Sequence, residues 1–224
     1  MFSQVKTVSQ RMGTVAGALL ALLVAANANA GLVAHYAFDE TGGTVAHDSV
    51  GAVDGHLLGQ STFVAGAGIN GSGALSLNRS TGDLVSMGDH FGFASYTIAV
   101  WVNVPVGYTA VEVPVGKHIA GAGVGYFLAI GNAGDGCCGA GTAQLYPGNY
   151  PLIAGTTATL DDGQWHQLVA TFDGSTGQAA LYLDGQLEGS GLSGTLFNAT
   201  DFLVGGTTAG PTYTGPIDDL RVFD

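Results

Sequence analysis

The chain has 224 residues, of which only 10% are charged, and its 17 acidic side chains outnumber Lys and Arg by enough to leave a formal net charge of −12. So few cations exclude a phosphate-tracking nucleic-acid groove, which needs clustered Lys and Arg, and argue against binding to an anionic membrane surface. The 38 glycines fall between short apolar runs rather than in a repeat, which is turn punctuation in a β-rich chain.

Residues 1–30 stand apart. Lys6 and Arg11 precede the apolar run MGTVAGALLALLVAA, and ANA closes it with small residues. A charged start, a short apolar middle and an A-x-A end predict a secretory signal peptide cleaved before Gly31. The apolar run is shorter than the roughly 20 residues of a membrane span. No later segment is long and apolar enough to insert, so the predicted product is one secreted domain, 31–224, at the cell surface, in the periplasm or outside the cell. Its basic residues are then Arg79, Lys117 and Arg221.

Beyond Gly31, runs rich in Val, Ile, Thr and aromatics follow in the order LVAHYAF, GALSLN, DLVSM, YTIAVWVNV, GYFLAIG, QWHQLVATFD, QAALYLDG, FLVGG and IDDLRVFD. Turn residues separate them, as in all-β sandwiches. No mature segment holds a capped 3.6-residue apolar period. The stretch DGQWHQLVATFDG concentrates polar letters, and its period of two sorts them. His166, Leu168, Ala170 and Phe172 share one face, and Trp165, Gln167, Val169 and Thr171 share the other. His166 therefore reads as a buried, hydrogen-bonded strand residue rather than a catalyst. In the next strand Leu181 and Leu183 point inward, and Asp184-Gly185 is the pair favoured in a type I′ hairpin turn.

TIAVWVNV, VGK, GYFLAIGN, DGQWHQLVATFDGSTGQAALYLDG, FLVGG and YTGPIDDLRVFD occur in this order and together resemble the bacterial laminin-G-like domains of the concanavalin A-like lectin/glucanase superfamily. LVAHYAFDETGGTVAHDSVGAVDGHLLG resembles that family's opening strand and Asp-Ser-x-Gly…Asp-Gly loop. The resemblance implies a jelly-roll sandwich of two curved antiparallel sheets with first and last strands adjacent, in line with the strand pattern. The segment 131–155 departs from it, being a longer and more glycine-rich loop than the usual hairpin.

The superfamily includes polysaccharide hydrolases, which need paired carboxylates about 5–5.5 Å apart when they retain configuration. The hydrolase spacing Glu-x-Asp-x-x-Glu is absent, since Glu40, Glu112 and Glu188 are far apart in sequence. The enzyme reading therefore ranks third. First comes a non-catalytic recognition module for an extracellular glycan or surface protein, and second a structural or adhesive module without a small ligand. Tyr146 and Tyr150, in the long loop, are the candidate sugar-stacking residues, and Tyr108 and Tyr213 lie in other expected loops. Laminin-G-like domains often bind calcium. The acids near the chain ends, Asp48 and Asp54 with Asp218 and Asp219, are the candidate ligands, because calcium takes carboxylate and turn-carbonyl oxygens together. In IDDLRVF, Asp218 falls by alternation on the Leu220/Val222 face, where a buried acid wants a partner or an ion. Cys137 and Cys138 are the only cysteines. Export favours their oxidation to a vicinal disulfide, although adjacent Cα atoms lie about 3.8 Å apart, below the usual range. An interchain bridge and two thiols are the alternatives.

Overall fold

Every apolar run named above forms a strand. The computed structural model describes residues 31–119, 124–132, 138–148, 151–158, 160–193 and 199–224. The strands are β1 (Leu32–Tyr36), β2 (Val45–Ala46), β3 (Gly55–Leu58), β4 (Thr62–Val64), β5 (Ala74–Leu77), β6 (Leu84–Ser86), β7 (Tyr96–Asn103), β8 (Glu112–Ile119) and β9 (Val124–Ile130). They continue with β10 (Thr142–Tyr146), β11 (Ile153–Ala158), β12 (Trp165–Asp173), β13 (Gln178–Leu183), β14 (Gln186–Leu192), β15 (Leu203–Val204), β16 (Gly206–Thr207), β17 (Gly210–Pro211) and β18 (Gly215–Phe223).

Two antiparallel sheets face each other. The first runs β14-β13-β12-β7-β18-β5-β4, with β1 also paired to β18, and the second runs β11-β10-β9-β8-β15-β6-β3-β2. First and last strands are neighbours, as the family resemblance implies, and the jelly-roll sandwich is the fold. Between the sheets, Ile98, Val100, Leu168, Leu181 and Val222 of the first pack with Val85, Val115, Leu128, Ile130 and Leu145 of the second. Each is at most 1% exposed, and burying each such side chain is worth roughly 1.5–3 kcal/mol. The period-two reading of β12 holds, with Leu168, Ala170 and Phe172 all in the core. Asp184 and Gly185 have φ of 49° and 77°, the left-handed pair of a type I′ turn.

Two places differ from the sequence reading, and a third, in β8, is unusual for a sheet. The segment 131–155 is not one loop, since it contains β10 and the start of β11, so Tyr146 sits on a strand. Glycine density hid the alternation of TAQLY. β8 carries Pro114 and still lies inside its sheet. The register shifts between Glu112 and Val115 there, and a bulge is where a missing N–H is tolerated. In β18, strict alternation fails between Asp218 and Arg221. Asp219 adopts φ of 47°, so Ile217, Leu220 and Val222 all reach the core and Asp218 does not share their face by simple alternation.

Candidate functional site

On the outer face of the second sheet, Tyr146 of β10 stands opposite Phe127 of β9, and Phe127 stands opposite Gly116 of β8. The two rings stack with centroids 4.3 Å apart and planes 14° from parallel. His118, two residues beyond Gly116 on the same face, meets the Phe127 ring edge-on at 5.0 Å. A Cβ at Gly116 would stand 3.0 Å from the Gly206 carbonyl and 3.1 Å from Phe127 Cβ. Glycine there lets the β16–β17 hairpin close over the strand. Thr207 and Thr212 come from that hairpin and its exit, Val111 and Val113 from the start of β8, and together they complete a cleft of about 310 Å³.

The cleft is apolar with a few neutral polar groups, the usual make-up of a small-ligand site. Burial pushes the His118 imidazole below its ordinary pKa, which favours its neutral form. Among the described residues, His118 Nδ1 and Thr212 Oγ1 are buried without a hydrogen-bond partner. Two other clefts lie elsewhere. One of about 710 Å³ is lined largely by small side chains such as Thr97, Thr171, Ala180 and Ser190 of the first sheet. The other, of about 440 Å³, lies beside the half-buried ion pair of Arg79 with Glu112.

Of the expected stacking residues, Tyr146 lies in the aromatic cleft. Tyr150 lies outside the described residues, as does Cys137, so the expected pairing of Cys137 with Cys138 also falls outside them. Tyr213 is wholly buried, its hydroxyl 3.1 Å from the carbonyls of Asn103 and Pro216. The expectation of a loop tyrosine fails there because β18 folds the segment inward. Tyr108 is half-buried, and its hydroxyl accepts the Gly141 N–H at 2.8 Å. Phe127, His118, Thr207 and Thr212 escaped the sequence reading. Phe127 had a signal, because in GYFLAIG it opposes the inward face of Tyr126, Leu128 and Ile130.

The four acids expected to hold calcium do not converge. Asp48 Oδ1 accepts the N–H groups of His35, Val50 and Gly51, each at 3.0 Å, and Oδ2 accepts that of Val53 at 3.4 Å. Asp54 accepts the Asp48 N–H at 2.9 Å. Asp218 accepts from Ile69 N, Ser72 Oγ and Asp219 N at 2.7–2.9 Å. Asp219 Oδ1 takes His35 Nε2 at 2.7 Å and Arg221 Nη2 at 3.0 Å. Asp48 and Asp219 thus meet only through His35. Calcium needs six to eight oxygens, and most of these are committed to N–H and O–H donors. Among the described residues no group of three or more His, Cys, Asp or Glu side chains is arranged to hold a metal ion. These residues do not fit a calcium cage.

The same seam holds an arrangement the sequence did not suggest. Ser49 Oγ lies 3.0 Å from His35 Nδ1, while His35 Nε2 faces Asp219. A nucleophilic serine also needs free N–H donors beside it for an oxyanion, and the next two, Val50 and Gly51, both donate to Asp48. The chain ties β1 to its loop and to β18. His166 is similar, mostly buried with its Nδ1 2.8 Å from Asp184 and its Nε2 3.2 Å from Asp162. It joins the start of β12 to the hairpin turn, as a structural histidine does.

The family model described as the concanavalin A-like lectin/glucanases superfamily matches residues 79–224, and the chain belongs to that superfamily. Among solved structures it is similar to domain 4 of AbnA, an extracellular arabinanase from Geobacillus stearothermophilus, determined in complex with arabinotriose. Identity is 22%, the TM-score is 0.64, and the match covers 87% of this chain and 93% of that one. The botulinum neurotoxin serotype D binding domain aligns at 12% identity and a TM-score of 0.59, over 86% of this chain and 48% of that one. A Trypanosoma rangeli sialidase aligns at 16% identity and 0.56, over 86% of this chain and 30% of that one. At these identities the likeness is one of fold. No curated protein matches the chain. Among the described residues no helix is long and apolar enough to cross a membrane.

Proposed function

We propose that this chain is an exported, non-catalytic carbohydrate-binding domain that takes sugar in the Phe127–Tyr146 cleft. The stacked aromatic pair on an outer sheet face carries the reading. Flat, partly exposed rings match the apolar faces of sugars, and the threonines and imidazole beside them match hydroxyls. A structural neighbour of matching length, determined in complex with arabinotriose, supports the ligand class.

Chemistry is disfavoured by where the carboxylates are spent. Glu112 is committed to Arg79 and to the Thr214 N–H, and Glu188 to the N–H groups of Thr156 and Thr157. Glu40 Oε1 accepts the His47 N–H. These three glutamates sit on different elements and form no acid–nucleophile pair facing one substrate. The leader 1–30 supports export, and amino-terminal sequencing of the secreted product should begin at Gly31.

The test is calorimetric titration with a panel of soluble oligosaccharides. Phe127→Ala or Tyr146→Ala should weaken binding by about tenfold each, the scale of a lost aromatic contact, and leave two-state unfolding intact. Unaltered binding by both variants, or turnover of a polysaccharide by the purified wild type, would overturn the reading.

A further inference from the structure

We infer that Thr212 and His118 set the specificity of the Phe127–Tyr146 cleft, and that its ligand is a neutral sugar bearing neither carboxylate nor sulfate. The inference rests on the carbohydrate reading and narrows it.

The mature chain has three obligate cations, and none of them lines the cleft. Lys117 points to the opposite face of β8 from Gly116 and His118, is wholly buried, and donates to Asp89 at 2.7 Å and to the Thr200 carbonyl at 2.6 Å. Arg79 pairs with Glu112 and Arg221 with Asp219. The residues lining the cleft are Val111, Val113, His118, Phe127, Tyr146, Thr207 and Thr212. An acidic sugar seated on them would bury its charge with no counter-ion, a cost that a neutral sugar escapes. The net charge of −12 adds long-range repulsion of anions.

The polar requirement comes from the two unpartnered atoms. A buried hydroxyl or ring nitrogen with no partner weakens a fold, and replacing it by an apolar group of the same shape costs nothing or stabilises. Thr212 Oγ1 and His118 Nδ1 are such atoms among the described residues, and both side chains border the cleft that holds the stacked Phe127–Tyr146 pair. Side-chain rotation on binding is common at otherwise rigid interfaces, and it would present either group to a sugar hydroxyl. Thr212 accepts or donates there, and the neutral imidazole does the same from whichever nitrogen faces the sugar.

The experiment titrates wild type, Thr212→Val, His118→Phe and Phe127→Ala with neutral oligosaccharides (arabino-, xylo-, gluco- and manno-series) and with oligogalacturonates and sulfated galactans, at one ionic strength, alongside thermal unfolding. The expected result is wild-type binding confined to neutral sugars. Thr212→Val should lose about tenfold in affinity at an unchanged or higher Tm, and His118→Phe should lose a similar factor while keeping the edge contact with Phe127. Wild-type affinity in both Thr212→Val and His118→Phe, with Phe127→Ala still impaired, overturns the inference and leaves the carbohydrate reading standing. So does preferential binding of the acidic series. No binding of any sugar by wild type overturns the carbohydrate reading itself.

Discussion

Two regions of this molecule handle polar atoms in opposite ways. Along the seam where β1 and its loop meet β18, five aspartates (Asp39, Asp48, Asp54, Asp218 and Asp219) accept hydrogen bonds from backbone N–H groups, a serine, histidines and an arginine. In the Phe127–Tyr146 cleft polar groups are few, and two of them lack partners among the described residues. Density of carboxylates would have placed the function at the seam. Unmet hydrogen-bonding capacity is the ground for proposing it at the cleft, because a polar atom with every valence met inside the protein has little left to offer a ligand. In the seam Glu40 Oε2 is the buried atom without a partner among the described residues.

The sharpest way to break this contrast is Asp218→Ala. Asp218 is 1% exposed, and its loss strands the part-buried Ile69 and Asp219 N–H groups, each worth about 1–3 kcal/mol when left unmet, while the Ser72 hydroxyl keeps the Ile69 carbonyl. We expect on the order of 3 kcal/mol or more of lost stability in urea unfolding, equal in calcium and in chelator. A loss confined to calcium-containing buffer would move the seam into the class of ligand sites.

Next in size is the acid limb of the stability curve. Burial tends to raise the Asp48 pKa, but the N–H groups of His35, Gly51, Val50 and Val53 outweigh it and hold the carboxyl below its ordinary value. A depressed folded pKa means that stability is present above the unfolded pKa of about 3.9 and is lost as pH falls through the folded one. Asp48→Asn should cost about 1–2 kcal/mol at neutral pH, and its gap from wild type should close below pH 4. A gap that persists at pH 2 would show that charge is not what Asp48 contributes.

His166 sharpens the other limb with a smaller effect. Burial tends to lower its pKa, but the hydrogen bonds and charges of Asp184 and Asp162 prevail and raise it. The stability it adds is complete below the unfolded value of about 6.5 and is lost as pH rises through the higher folded value. Thermal unfolding from pH 5 to 9 should show wild type losing its advantage over His166→Gln across that window, by about 0.5–1.5 kcal/mol in all. A constant difference between the two would remove the charge from this account.

The smallest expected change is in the core. Tyr126 is buried with an unpartnered hydroxyl among the described residues, so Tyr126→Phe should leave Tm unchanged or slightly higher. Tyr213→Phe forfeits a bonded hydroxyl and should cost about 1 kcal/mol. Equal losses at the two sites would mean that Tyr126 has a water partner and that unsatisfied atoms do not mark function here.

The sequence by itself determined the strands of strong alternation, the Asp184-Gly185 turn, the inward face of β12 and the family pattern that names the sandwich. Each of these is a local property, written in side-chain period two or in the φ demands of two residues. Tertiary structure alone decided the rest. The bulge at Asp218–Asp219 broke an alternation that single-strand reading must assume, and Pro114 was tolerated inside a sheet because the register shifts beside it. The acids near the chain ends looked like ligands until their partners, up to 184 residues away as in Asp219 with His35, were in place. The cleft likewise exists only because β8, β9 and β10 align Gly116, Phe127 and Tyr146 in one row and the β16–β17 hairpin closes over them. Cross-strand register is set by the packing of the whole sandwich, and no window along the chain contains it.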